Sequence, residues 1–108
     1  MATIYAYTLT DDETLENVFD RGDCLMNHVV MPSGKVFPKH PTDAHVYITV
    51  LRGELTIALE DEAPIKLKRG QVGNVPKGVM SSLSNITDEV VELIVLKLKH
   101  DADITYKL

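Results

Sequence analysis

Three histidines, His28, His40 and His45, are the side chains in this sequence best suited to bind a transition metal. A neutral imidazole is the commonest protein ligand for such ions. The single cysteine, Cys24, excludes an intramolecular disulfide and a cysteine-rich zinc site. A free cysteine is most often a small buried apolar residue, so Cys24 is not predicted to act as a nucleophile.

The elements that must position these side chains are short β-strands. Apolar residues alternate with polar ones, so that Val46, Ile48 and Val50 fall on one face of a strand. Strands that recur about every 8 to 12 residues, with Gly and Pro turns between them, predict an all-β sandwich or barrel. The predicted strands are residues 4–9, 24–31, 46–51, 54–59, 65–68, 72–75, 79–83 and 90–98. Residues 14–19 are predicted to form a single helical turn or a loop.

The size and charge of the chain limit its class. A length of 108 residues suits one domain, which we expect to span residues 1–108. The net charge of −5 argues against nonspecific nucleic-acid binding, which needs a cationic surface. The longest apolar-rich run, residues 90–98, is too short to cross a bilayer, and no signal-peptide pattern is visible. A cytoplasmic protein without nucleic-acid or membrane partners is therefore expected.

Turn residues recur at regular spacings in two segments, residues 34–53 and 70–85. The first segment has Gly34, then His40 after five intervening residues, and ends at Gly53. The turn residues of the second segment are Gly70, Pro76, Gly78 and Asn85. These spacings resemble the two sequence motifs of the small single-domain cupins. The resemblance implies an all-β jelly-roll barrel, the cupin double-stranded β-helix.

The same resemblance shows which metal ligands of the family are missing. In metal-bearing cupins, three histidines and one glutamate converge on one divalent ion inside the barrel. Here only His40 matches; Thr42 and Ser81 stand at two histidine positions, and Val46 stands at the glutamate position. Hydroxyl groups are poor neutral ligands for a transition metal, and valine is not a ligand. We therefore expect no metal cofactor at the family position.

The first functional hypothesis is metal-independent binding of an unknown small molecule inside the barrel. His40, Thr42 and Ser81 would supply hydrogen bonds, and Val46 and Ile48 would line an apolar wall. A mostly apolar pocket with a few convergent polar groups is the usual form of a ligand site.

The alternative is a metal-dependent enzyme of the oxygenase or isomerase type. A divalent transition metal would then bind at a non-standard site built from His40, His45 and His28. His45 faces away from Val46 by alternation, so it would need a one-residue bulge to turn inward. A third hypothesis is a structural or regulatory dimer with a filled barrel. The sequence does not decide between an enzyme and a binding protein, because this barrel hosts many functions.

The predicted strand at residues 90–98 is apolar on both faces. A strand of this kind needs a second cover besides the core of its own barrel. A second subunit or the N-terminal strand could provide it. Because two-fold dimers are the commonest soluble assembly, we expect a homodimer interface formed by residues 90–98 with help from residues 4–8.

Overall fold

The computed structural model describes residues 1–99 of the chain and contains nine β-strands and no helix in that range. The strands are β1 (Thr14–Asp20), β2 (Cys24–Met31), β3 (Val36–Pro41), β4 (His45–Arg52), β5 (Glu54–Leu59), β6 (Ile65–Lys68), β7 (Val72–Val75), β8 (Met80–Ser84) and β9 (Val91–Leu98). The predicted all-β class is confirmed. Residues 1–99 accordingly hold no helix with the length and hydropathy needed to span a membrane.

The strands form two antiparallel sheets. The five-stranded sheet has the order β1-β2-β9-β4-β7, and the four-stranded sheet has the order β3-β8-β5-β6. Strand β9 lies between β2 and β4, so the sheet joins segments that are far apart in the sequence. This arrangement is the jelly-roll barrel that the sequence predicts.

The hydrophobic core lies between the two sheets. Alternate side chains of β4, Val46, Ile48 and Val50, point into it and are at most 7% exposed, as their spacing predicts. Leu55 and Ile57 of β5 meet them from the other sheet and are almost completely buried. Full burial of one such side chain stabilises the fold by about 1.5–3 kcal/mol.

The prediction of a helical turn or loop at residues 14–19 is wrong, because this segment is strand β1. It pairs antiparallel with β2, with Leu15 opposite Val29 and Glu16 opposite His28. A single short segment with mixed polarity carries no clear period of its own. The neighbouring strand therefore decides its conformation.

The predicted strand at residues 4–9 does not form. These residues have no strand assignment and instead contact the outer face of the five-stranded sheet, the face turned away from the core. The ring of Tyr5 lies 5.0 Å from that of Phe19, and the ring of Tyr7 lies 4.4 Å from that of His28. A segment laid across a sheet face makes side-chain contacts and no ladder of backbone hydrogen bonds, which explains the difference.

Candidate functional site

A cavity of about 200 Å³ lies between the two sheets. Its apolar wall is formed by Leu15, Val29, Phe37, Val46, Ile48, Val75, Leu83 and Val95. Its polar groups come from Asn27, His40, Thr42, Ser81 and Lys97. Such a combination of apolar wall and few polar groups suits a small organic ligand.

The five residues predicted from the sequence to form the pocket all line this cavity. Val46 and Ile48 come from β4, where alternate residues face inward. His40 comes from β3, Ser81 from β8, and Thr42 from the loop between β3 and β4. The structure thus brings together residues from both sheets, although their role in binding stays a prediction.

His40 and Ser81 lie directly opposite each other on the paired strands β3 and β8. The Nδ1 atom of His40 is 3.0 Å from the carbonyl oxygen of Pro38, which can only accept, so Nδ1 donates this bond. In the neutral ring Nε2 is then an acceptor. Ser81 is only 8% exposed, and no residue among 1–99 hydrogen-bonds its hydroxyl group. This hydroxyl is therefore available to a ligand.

The hydroxyl group of Thr42 has a different role from the one its sequence position suggests. It donates to the carbonyl oxygen of Ala44 at 3.1 Å and accepts from the backbone nitrogen of Ala44 at 3.2 Å. These bonds stabilise the loop between β3 and β4. Thr42 consequently shapes the cavity mouth, and its single hydroxyl hydrogen is already used.

Two polar residues of the lining, Asn27 and Lys97, were missed by the sequence analysis. Asn27 alternates with Val29 on β2, and Lys97 follows Val95 on the inward face of β9, so strand alternation could have found both. Lys97 is half-buried and pairs across the sheet with Val46. Val46, which stands at the glutamate position of the family motif, therefore has Lys97 as its cross-strand neighbour on the same face of the sheet.

The alternative metal site is not supported, because the structure does not bring His40, His45 and His28 together. His28 lies on the outer face of the five-stranded sheet, whereas its neighbours in β2 line the cavity. His45 pairs with Leu98 in regular register, without the bulge that would turn it inward. Its Nδ1 atom accepts a hydrogen bond from the backbone nitrogen of Lys77 at 3.3 Å.

The cavity lining does not fit a transition metal. Among residues 1–99 it offers one imidazole, two hydroxyl groups, one amide and one ammonium group, and no thiolate or carboxylate. An ammonium group next to the family's metal position would also repel a cation. Among residues 1–99, no group of three or more His, Cys, Asp or Glu side chains is arranged to hold a metal ion.

His28 belongs instead to an ionic cluster on the outer face. Its ring is completely buried, with Nδ1 2.9 Å from Oε1 of Glu16 and Nε2 2.6 Å from Oε2 of Glu92. Arg52 binds the other oxygen of Glu92 through Nε at 3.0 Å and Asp11 through Nη1 at 2.6 Å. The cluster therefore links the N-terminal segment to four strands of the sheet, β1, β2, β4 and β9.

The carboxylate of Glu16 holds the N-terminal segment directly. It accepts hydrogen bonds from the backbone nitrogen of Thr8 at 2.7 Å and from the Thr8 hydroxyl at 2.9 Å. These two bonds, followed by the one from His28, lower the pKa of Glu16 below its ordinary value of 4.5. The ionised carboxylate is thus the form that stabilises this contact.

Comparison with known proteins agrees with this fold. Residues 27–97 match the cupin domain, and the chain therefore belongs to the cupin family. An uncharacterised protein of Methanocaldococcus jannaschii is 32% identical over 88 residues, which cover 82% of this chain and 76% of that protein.

Solved structures give the same result. An RmlC-like cupin family protein from Methanocaldococcus jannaschii, with a double-stranded β-helix fold, has a TM-score of 0.86 and 29% identity over 93% of each chain. A cupin domain from Schizosaccharomyces pombe has a TM-score of 0.76 and 22% identity, covering 88% of this chain and 70% of that chain. The latter shows likeness of fold alone, and the fold does not define an activity.

Proposed function

We propose that this cupin binds a small organic molecule inside its barrel and needs no metal ion to do so. The observation that carries the proposal is the cavity between the sheets, in which an apolar wall meets the polar groups of His40, Ser81, Asn27 and Lys97. The hydroxyl of Ser81, which no described residue binds, is a further polar group that a ligand in this cavity could bond.

The size of the cavity limits the ligand. Sites for drug-sized molecules usually measure about 300–1,000 Å³, whereas this cavity measures about 200 Å³. The ligand is therefore a small metabolite-sized molecule with an apolar body. Contact with Val46 and Ile48 would bury that apolar body. This burial would contribute about 25 cal/mol of binding free energy per Å² of apolar surface removed from water.

A cavity-filling variant tests this proposal. We expect some members of a fragment library to shift the backbone amide signals of cavity residues in NMR spectra of ¹⁵N-labelled protein. Val46→Phe inserts a ring into the cavity and should abolish these shifts. Val72→Phe makes the same change at a position that is 61% exposed and outside the lining, and it should leave them intact.

The outcome depends on where the fragments bind. Equal binding to both variants would contradict a barrel site, as would a screen without any shift at the cavity. Overpacking at Val46 should destabilise the fold by about 1–3 kcal/mol, so thermal unfolding must first show that the variant is folded.

Metal content tests the second part of the proposal. We expect untagged protein, purified without chelator, to contain much less than one transition metal ion per chain in elemental analysis. Soaking with zinc, nickel or manganese followed by dialysis should not change this result. One tightly held ion per chain would contradict metal independence.

We further propose that the protein forms a homodimer through the outer face of the five-stranded sheet. Ile4 and Leu9, on the N-terminal segment that contacts this face, are 91% and 87% exposed in the single chain. Large apolar side chains left in water on one segment are suited to an interface with a second subunit. Light scattering should give the mass of a dimer, and replacement of Ile4 and Leu9 by Ser should weaken it. A monomeric parent protein would refute the proposal.

We also propose that the protein functions in the cytoplasm. Cys24 is a free, half-buried thiol, which suits a reducing compartment. Fractionation of cells that express the protein at its natural level should recover it with cytoplasmic markers. Recovery with another compartment would contradict this location.

A further inference from the structure

Lys97 is a half-buried cation that has no counter-charge in the described part of the chain. The ion pairs among residues 1–99 include Lys35 with Glu13 and both Lys66 and Lys68 with Glu54, but none involves Lys97. The described residues that line its cavity include no carboxylate. An opposite charge close to an ammonium group stabilises its charged form. A bound anion would therefore give Lys97 the ionic partner that the described residues do not supply.

The other polar groups near the cavity add hydrogen-bond donors. The Oδ1 atom of Asn27 already accepts a hydrogen bond from Nδ2 of Asn17 at 3.1 Å, which leaves the Asn27 amide nitrogen to donate. The Ser81 hydroxyl can donate as well, because no described residue binds it. An ionised carboxylate is an acceptor at both oxygens and matches such a set.

We propose that the barrel selects a small monocarboxylate, with its carboxylate on Lys97 and its apolar body against the wall that includes Val46. This inference rests on the proposed ligand-binding function and adds the chemical class of the ligand. One cation matches the single charge of a carboxylate. A phosphate carries more charge and more acceptor oxygens than one lysine and these few donors can satisfy.

A pair of probes of nearly equal shape tests the charge preference. Hexanoate and hexanamide differ in charge but share the same apolar chain. Binding to the full-length protein at neutral pH is measured by calorimetry and by NMR shifts of the cavity residues. Hexanoate should bind about tenfold more tightly or better, the difference expected for a hydrogen bond between charged groups.

Ionic strength is a less useful test. The protein carries a net charge of −5, so salt screens the long-range repulsion of an anion as well as its attraction to Lys97. The two effects oppose each other. The neutral amide avoids this ambiguity, since both probes are compared in one buffer.

Three variants assign the preference to Lys97. Lys97→Met should reduce hexanoate affinity to the level of hexanamide and leave hexanamide binding within about twofold. Lys97→Arg keeps the charge and should keep the preference for hexanoate. Lys99→Met removes the same charge at an exposed position outside the lining and should leave the preference unchanged.

The results separate this inference from the proposed function. Equal cavity binding of hexanoate and hexanamide would overturn the carboxylate preference while ligand binding still held. Equal loss of preference in Lys97→Met and Lys99→Met would also overturn it, since a general charge effect would explain both. If neither probe binds but other fragments bind in a Val46-dependent manner, the monocarboxylate class is wrong and the binding function stands.

Discussion

Substitution of His28, whose ring is buried, tests whether this residue stabilises the fold or binds a metal ion. We expect His28→Leu to destabilise the protein strongly. The variant loses the hydrogen bonds to Glu16 at 2.9 Å and to Glu92 at 2.6 Å. It also leaves the Glu92 side chain, which is only 12% exposed, without one of its partners.

The expected magnitude follows from these contacts. Removal of one partner of a buried charged group costs about 3–5 kcal/mol, and of the two bonds the one to Glu92 is the buried one. Burial of the leucine side chain offsets part of this loss, and Arg52 still binds Glu92 through Nε at 3.0 Å. We therefore expect a net loss of about 3 kcal/mol, consistent with the range for breaking a buried ion pair.

Urea unfolding followed by circular dichroism measures this change. With a slope of about 1.5 kcal/mol per M, a loss of about 3 kcal/mol lowers the midpoint by about 2 M urea. His40→Leu is the matched control, because this ring is exposed at the cavity mouth. It should change the stability by less than about 1 kcal/mol.

A second substitution separates the buried charge from simple packing. Adding Glu92→Gln to His28→Leu should recover about 1 kcal/mol, since a neutral amide that has lost one of its partners is less unfavourable to bury than a carboxylate that has lost one, and Arg52 keeps its bond to Asp11. A loss below about 1 kcal/mol for His28→Leu would refute the reasoning. So would an equal loss for His40→Leu, or a midpoint that chelator lowers in the parent protein.

Two further predictions concern a turn and the N-terminal segment. Gly53 has a φ of +81°, and a Cβ atom there would lie 2.5 Å from the carbonyl oxygen of Val90. Gly53→Ala should therefore cost about 2–4 kcal/mol in thermal unfolding, whereas Gly70→Ala, with φ +90° and open space, should cost about 1–2 kcal/mol. Equal losses would show that the close contact does not matter. The lowered pKa of Glu16 means that its stabilisation is complete above pH 4.5 and is lost as the pH falls through the lower folded-state pKa. Glu16→Gln should thus flatten the decline in stability below pH 4.5, and an unchanged acid profile would contradict this assignment.

The apolar half of the candidate site could be predicted from local patterns. Alternation along β4 put Val46 and Ile48 on the core face, and the structure buries both. The resemblance of the turn spacing to the cupin motifs implied inward positions for His40 and Ser81, and both line the cavity. These predictions succeed because strand alternation and turn geometry are properties of short segments.

Other features depend on pairing between distant segments. β1 has no distinct period, and its pairing with β2 makes it a strand. The N-terminal segment has a sequence pattern that predicts a strand, but it lies across the sheet face, where Thr8 hydrogen-bonds Glu16. Neither arrangement follows from local composition, because the partner surface exists only in the folded sheet.

By itself, the sequence determined the all-β class and the inward side of β4 through alternation and turn residues, and its resemblance to the cupin motifs implied the barrel. Only the tertiary structure decided which polar side chains share a space. It placed His28 against Glu92, a residue 64 positions away, and so removed His28 from the candidate metal site. It also set Lys97 beside Val46 across the sheet. The physical reason is that strand order and register, not sequence spacing, determine which charges meet.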